Sequence, residues 1–220
     1  MTRNPAKAAG RNPKPPPRAV RAFTRAELDA IAAELAPAFR TLPLFAAATG
    51  LRPEEWQALE RGDVDRRAGL VHVRRSVSSG AVVDLGKTER SRRQVPLSPW
   101  AEDALDAIPP RLDTPLVFPA QRDGILNLDN WRRREWAPAI EVSGTRKPAR
   151  IYDLRSTFAS NALAAGIGAF ELAKVMGTSI EMIERHYGAL LDGASAGIAS
   201  RLAAFEAEHE SQEDRLTGHP

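Results

Sequence analysis

Apolar positions along the chain fall into three successive regimes. From Thr24 to about residue 59 they recur at helical spacing. Leu28, Ile31, Ala32 and Leu35 form one stripe, and Thr24 with Glu27 fits a capping box at its start. Pro37 ends this helix. A second helix is predicted over Thr41–Ala48, closed by Thr49-Gly50. A third starts at Pro53, a favoured first-turn residue, with Glu54 and Glu55 at the positive end of the helix dipole and Trp56 and Leu59 facing a core.

Between residues 70 and 97 the period shortens to two. Leu70–Val77, Ala81–Leu85 and Arg92–Leu97 read as strands, separated by Ser78-Ser79-Gly80 and by Lys87–Ser91. From Ala101 the helical period returns. Helices are predicted over 101–108, about 127–140, 153–165, 169–176, 180–187 and 194–208, with Val142–Lys147 as a loop. The last of these, with Ile198, Leu202, Ala203 and Phe205, is either a core helix or one that binds a partner. The fold class is therefore α+β: a mainly helical domain with a small three-stranded antiparallel sheet. No internal repeat is visible. With no strand–helix alternation, no G-x-G-x-x-G and no Walker loop, nothing recommends a nucleotide cofactor.

Composition narrows the chemistry. The chain has 220 residues and no cysteine, which removes disulfides, cysteine zinc sites and thiol catalysis. His72, His186, His209 and His219 do not have metal-ligand spacing. No stretch approaches the roughly 18 apolar residues of a membrane span. Prolines rather than an apolar segment follow the basic N-terminus, so it is not a secretory signal. The expectation is a cytoplasmic protein with no cofactor, no membrane partner and no small-molecule substrate.

Charge adds one asymmetry. The net charge is +3, yet residues 1–25 hold seven Lys and Arg and no acid, leaving 24 basic against 28 acidic groups in the rest. Residues 1–22, with Pro5, Pro13 and Pro15-Pro16-Pro17, read as a basic, proline-rich arm. Residues 209–220 read as a polar tail. An arm of this kind either meets nucleic acid or is solvated leader.

Four stretches carry candidate chemistry. In Thr49–Trp56, Arg52 lies in the turn before a helix, where it either seats an anion or pairs with Glu54 or Glu55. In Arg150–Ser160, Tyr152 and Arg155 are three apart and share a face near a helix start. In Met176–Gly188, Gly177 breaks a helix, Ser179 caps the next, and Tyr187 closes it, either reaching a substrate or packing in the core. In Gly86–Leu97, Lys87 lies at a β-turn beside several arginines. Trp131-Arg132-Arg133-Arg134 is a candidate phosphate-contacting surface or a solvated helix face.

In order and spacing these blocks resemble the tyrosine recombinases, or phage-type integrases. Thr49–Trp56 resembles the family's T-G-L-R-x-x-E-L box. Lys87 precedes Arg93-Gln94-Val95-Pro96-Leu97 as the β-turn lysine precedes R-x-V-P-L. Tyr152–Ala159 resembles H-x-L-R-H-T-F-A, and Thr178 stands in the histidine place of L-G-H-S, with Tyr187 nine residues later. The resemblance spans about residues 22–205.

The resemblance implies a catalytic domain over residues 23–208 and metal-free strand cleavage and rejoining on double-stranded DNA. Arg52 and Arg155 would grip the scissile phosphate, which the guanidinium fork matches. Tyr187 would attack phosphorus to give a 3′-phosphotyrosine link, and Lys87 would protonate the leaving 5′ hydroxyl. The resemblance also implies a tetramer assembled on DNA. It further implies an N-terminal helical domain, which this sequence does not carry. Three positions depart from the pattern. Tyr152, Ser156 and Thr178 stand where the family has histidine, and a phenol with an ordinary pKa of about 10 is a poor base at neutral pH. Tyr152 and Thr178 are nevertheless counted in the candidate site. The alternative is a catalytically impaired, truncated integrase remnant that only binds DNA.

Overall fold

The computed structural model describes residues 20–85, 92–122 and 124–191, together with Ser200, Ala203 and Phe205. Helix α1 (Arg25–Glu34) begins with the expected capping box: the Glu27 amide donates to Thr24 Oγ1 and the Thr24 amide to Glu27 Oε2. A 3₁₀ turn at Pro37–Phe39 leads into α2 (Leu42–Thr49). Helix α2 is buried along nearly its whole length and packs against α1, α4 (Pro99–Asp106) and α7 (Asp153–Ala164). A helix that is apolar all round belongs inside, and this one is the centre of the larger core, with Phe45 against Phe118.

Helix α2 stops at Gly50, whose φ of +63° puts it in the left-handed region. A Cβ built there would lie 2.3 Å from Phe158 Cδ1 on α7, so the turn and the helix contact both require glycine. The short helix α3 (Pro53–Gln57) follows at once.

The sheet differs in membership from the one expected. Its three strands are β1 (Val64–Asp65), β2 (Leu70–Val73) and β5 (Arg93–Pro96), all antiparallel, in the order β1-β2-β5. Val71 pairs with Val64 on one side and Val95 on the other. The predicted strand 70–77 splits at Arg74. Val71 and Val73 stay in the core, while Arg75 turns to Asp63 and to Glu60 at 2.9 Å. Beyond the split, β3 (Arg75–Ser78) and β4 (Ala81–Asp84) form a separate hairpin, closed by Ser79 and Gly80, both at positive φ as a type I′ turn needs. Two-residue β1 is too short to leave an alternation.

In the C-terminal half, α5 (Leu128–Trp131) continues through a π-helical stretch, Arg132–Trp136, into α6 (Ala137–Val142), two residues beyond the predicted end. Trp131 and Trp136 point inward, with ring centroids 5.7 Å apart, and leave the arginines between them on the surface. Helices α7, α8 (Ala169–Met176) and α9 (Ile180–Leu191) enclose a second, smaller core of Ala159, Ala162, Leu172, Met176, Ile183 and Tyr187. Helix α8 also packs on β5. The predicted helix over 194–208 lies largely outside the described residues; Ser200, Ala203 and Phe205 are helical and exposed. Among the described residues no helix is long and apolar enough to cross a membrane.

Replacing Gly50 by alanine sets left-handed strain on top of a clash with Phe158. The expected loss is about 2–4 kcal/mol, the strain and overpacking contributions together. Urea unfolding of Gly50→Ala beside the unchanged protein measures it; equal midpoints would show that the α2–α7 contact gives way freely.

Candidate active site

Helix α7 is unusual in what it buries: Asp153, Arg155, Ser156 and Thr157 are all inside, along with its apolar residues. Each has a reason to be there. Asp153 accepts from the Arg150 amide at 2.8 Å and from the Arg150 guanidinium at 2.9 Å, which fixes the helix start. Thr157 Oγ1 donates to the Asp153 carbonyl at 2.8 Å and accepts the Phe23 amide at 2.9 Å, tying the entry of the chain to this helix.

Arg155 is only 3% exposed. Its Nη1 donates to the Gly50 carbonyl and its Nη2 to the Met176 carbonyl, the latter at 2.6 Å. Among the described residues no carboxylate comes within ion-pair distance of it. Burial pushes its pKa down, and the nearby positive charge of Arg52 pushes it further. Arginine nevertheless stays charged in proteins. The result is a buried cation resting on neutral carbonyls, an arrangement that an anion would stabilise.

Arg52 reaches the same place from the other side. Its Nη2 donates at 2.6 Å to the carbonyl of Gly177, the residue after Met176. The two guanidiniums, 103 positions apart, thus meet at the C-terminal end of α8. Glu55 holds Arg52 in position: it accepts from Arg52 Nη1 at 2.8 Å and from the Arg52 amide at 2.7 Å. Arg93 on β5 grips the same carboxylate through both Nη atoms at 2.7 Å and donates Nε to the Val175 carbonyl at 2.7 Å. Burial, the largest single influence on Glu55, pushes its pKa up. The hydrogen bonds and charge of Arg93, with the amide and charge of Arg52, outweigh it and hold the carboxyl below the usual glutamate range.

A cavity of about 360 Å³ opens beside this seat, with Tyr152, Arg155, Ser156, Thr178, His186 and Tyr187 among its lining residues. Tyr187 is 7% exposed, and its Oη donates to Ser156 Oγ at 3.3 Å. Burial pushes its pKa above the ordinary phenol value. The Ser156 hydrogen bond and the Arg155 charge oppose the rise, and Tyr152 and Asp153 add to it. Tyr152 is 53% exposed. Val20 also lines the cavity, so the described chain begins at the wall of the site.

Of the six residues picked from the sequence, four line the cavity: Tyr152, Arg155, Thr178 and Tyr187. Arg52 is not among the lining residues; it bonds the carbonyl of Gly177, between the lining residues Met176 and Thr178. Lys87 lies outside the described residues. Both alternatives at Arg52 hold at once, because it pairs with Glu55 and still faces the carbonyl seat. Both also hold at Tyr187, which packs in the small core and borders the cavity. The pairing of Glu55 with Arg93 was missed, although both residues stand in the quoted motifs and Glu55 was weighed as a partner of Arg52. Among the described residues no group of three His, Asp or Glu side chains is placed to hold a metal ion.

Converting Glu55 to glutamine removes the charge that the buried Arg93 and half-buried Arg52 guanidiniums share. We expect Glu55→Gln to cost about 3–5 kcal/mol in urea unfolding at neutral pH. Because the folded carboxyl is held low, its contribution is complete above the ordinary glutamate range and is lost as pH falls through the lowered folded value. The gap between the two proteins should therefore narrow in acid, and a gap constant with pH would contradict this assignment.

Comparison with known proteins places the chain by family and by fold. Residues 22–193 match the sequence profile of the phage integrase family. The Tn1549 transposon integrase, solved in complex with circular intermediate DNA, superposes with a TM-score of 0.64 at 18% identity, over 81% of this chain and 64% of that one. XerA recombinase gives 0.63 at 18% identity, over 86% and 67%. The catalytic domain of bacteriophage HP1 integrase gives 0.52 at 19% identity, over 82% and 97%. At these identities the likeness is one of fold. The chain spans 64% of the length of the first of these structures. No curated protein matches the chain.

Proposed function

This chain belongs to the phage integrase family, and on that premise we propose that residues 23–208 are the catalytic domain of a site-specific recombinase acting on double-stranded DNA. The observation that carries the proposal is the buried Arg155, with no counter-ion among the described residues, meeting Arg52 beside a cavity that also holds a tyrosine hydroxyl. A phosphodiester supplies the anion this seat lacks. In the reaction Tyr187 Oη attacks phosphorus, the 5′ oxygen leaves, and a 3′-phosphotyrosine link stores the bond energy for rejoining. Arg52 and Arg155 neutralise the charge that gathers on the non-bridging oxygens, through donors that Glu55 and the carbonyls have already oriented. Lys87 protonates the leaving 5′ oxygen.

The basic arm extends the DNA contact. It joins the described chain at Val20, on the cavity wall, and so enters where the phosphate would sit. Assembly into a tetramer on DNA belongs to the same proposal. It is supported by Ile167 and Phe170, which stay exposed at the start of α8 beside the small core. A second reading, DNA binding without cleavage, is favoured by the hydroxyls of Tyr152, Ser156 and Thr178 in place of imidazoles and by a nucleophile that burial keeps protonated.

A nicked suicide duplex separates the two readings. The duplex is one that the protein itself selects from random-sequence DNA. Under the first reading a covalent protein–DNA band accumulates and is abolished by Tyr187→Phe, which keeps the ring and its packing. Retention of the duplex with no such band from the unchanged protein would establish the second. Independently, changing Arg3, Lys7, Arg11, Lys14 and Arg18 to glutamine should flatten the dependence of log affinity on log salt by up to about 4.5. An unaltered slope would mean that the arm makes no phosphate contact.

A further inference from the structure

We propose that His186 is the group that takes the proton from Tyr187 as the tyrosine attacks, and returns it on rejoining. The inference rests on the phosphotyrosine reading above and completes its proton accounting. A phenol that becomes a phosphodiester must give up its hydrogen, and something in the cavity must hold it. Arg150 and Arg155 are permanent donors with no lone pair to offer. Tyr152, Ser156 and Thr178 present hydroxyls, which can relay a proton but are too weakly basic to keep one. Asp153 is buried and occupied by Arg150, through one amide and one guanidinium. His186 lines the same cavity, and among the described residues no hydrogen bond engages its ring nitrogens. A neutral imidazole nitrogen has an acceptor lone pair that can take a proton.

The geometry suits a short transfer. His186 and Tyr187 are successive residues of α9, and their rings meet edge to face with centroids 6.4 Å apart. Tyr187 Oη donates to Ser156 Oγ, a hydroxyl that lines the same cavity as His186. A water in the cavity, or a rotation of the exposed imidazole, would carry the proton between them. The charged groups facing His186 across the cavity are Arg150, Asp153 and Arg155. On its own helix, Arg185 is taken up by Glu181 at 2.7 Å. In the forward step the Tyr187 O–H bond breaks, its proton goes to an imidazole nitrogen, the Tyr187 oxygen bonds to phosphorus, and the bond from phosphorus to the 5′ oxygen breaks. The 5′ oxygen takes a separate proton from Lys87. Charge and protons balance with no further reactant.

Single-turnover adduct formation by the full chain, on the self-selected nicked duplex, tests this. We expect His186→Gln to slow the adduct by about 10²–10⁴ while DNA retention is unchanged. His186→Gly should regain rate when free imidazole is added, which a purely structural defect would not. A duplex with sulfur in place of the 5′ bridging oxygen has a leaving group that needs no proton. The His186→Gln deficit should persist on it; if the deficit vanishes, His186 serves the leaving group and the proposal is overturned. Equal rates for His186→Gln and the unchanged protein also overturn it, with the recombinase reading intact. If the unchanged protein holds the duplex but forms no adduct, the phosphotyrosine reading itself falls and takes this inference with it.

Discussion

A guanidinium sealed inside a protein with no carboxylate partner among the described residues is an unfinished electrostatic arrangement, and the architecture around Arg155 is organised by it. Removing a cation from water is unfavourable, and two peptide carbonyls return only part of what hydration supplied. The fold accepts this because α2, α7 and the end of α8 are packed through other contacts: the apolar length of α2, the close approach of Gly50 to Phe158, and the small core shared with α9. Those contacts hold Arg155 in place, and the deficit remains available to whatever anion enters. The neighbouring guanidinium is treated differently. Arg52 shares the Glu55 carboxylate with Arg93, so its charge is partly met and its orientation is set from two directions.

Much of this was readable in the sequence, for identifiable reasons. Helix α1, with its capping box and clean apolar stripe, announces itself, because local chemistry and long-range burial agree there; α9 shows its start at Ser179, but it runs through Gly188 to Leu191, four residues past the expected end at Tyr187. The residue types of the site were readable as well, since Arg52, Tyr152, Arg155, Thr178 and Tyr187 keep the order and spacing of a known set of motifs. What could not be read depended on partners far along the chain or on atoms that every residue has. The Glu55–Arg93 pair joins positions 38 apart. The carbonyls of Gly50, Met176 and Gly177 carry no signature in a letter code, yet they are the surface on which both arginines rest. The break in the β-strand at Arg74 follows from the pull of Asp63 and Glu60 on the next arginine, which an alternation pattern does not contain.

The replacement of imidazoles by hydroxyls at 152, 156 and 178 alters the character of the cavity without emptying it of function. Hydroxyls donate and accept in any orientation but do not change charge near neutral pH. The arginines keep their charge at every relevant pH, and proton movement is concentrated on the few groups that can change theirs. Under the proposed chemistry, a phosphate would meet fixed positive charge here, and the harder demand would be proton removal from a phenol that burial makes reluctant to ionise.

Tyr187 is at once a wall of the cavity and a member of the small core between α7, α8 and α9. A side chain with both duties cannot swing toward a substrate without vacating the space it fills among Leu172, Met176 and Ile183, and an unfilled void of aromatic size is strongly unfavourable. Under the proposed chemistry, reactivity and cohesion are therefore coupled through one ring: whatever draws the hydroxyl outward would loosen the grip of α9 on the body of the domain, and whatever clamps α9 down would disarm the nucleophile.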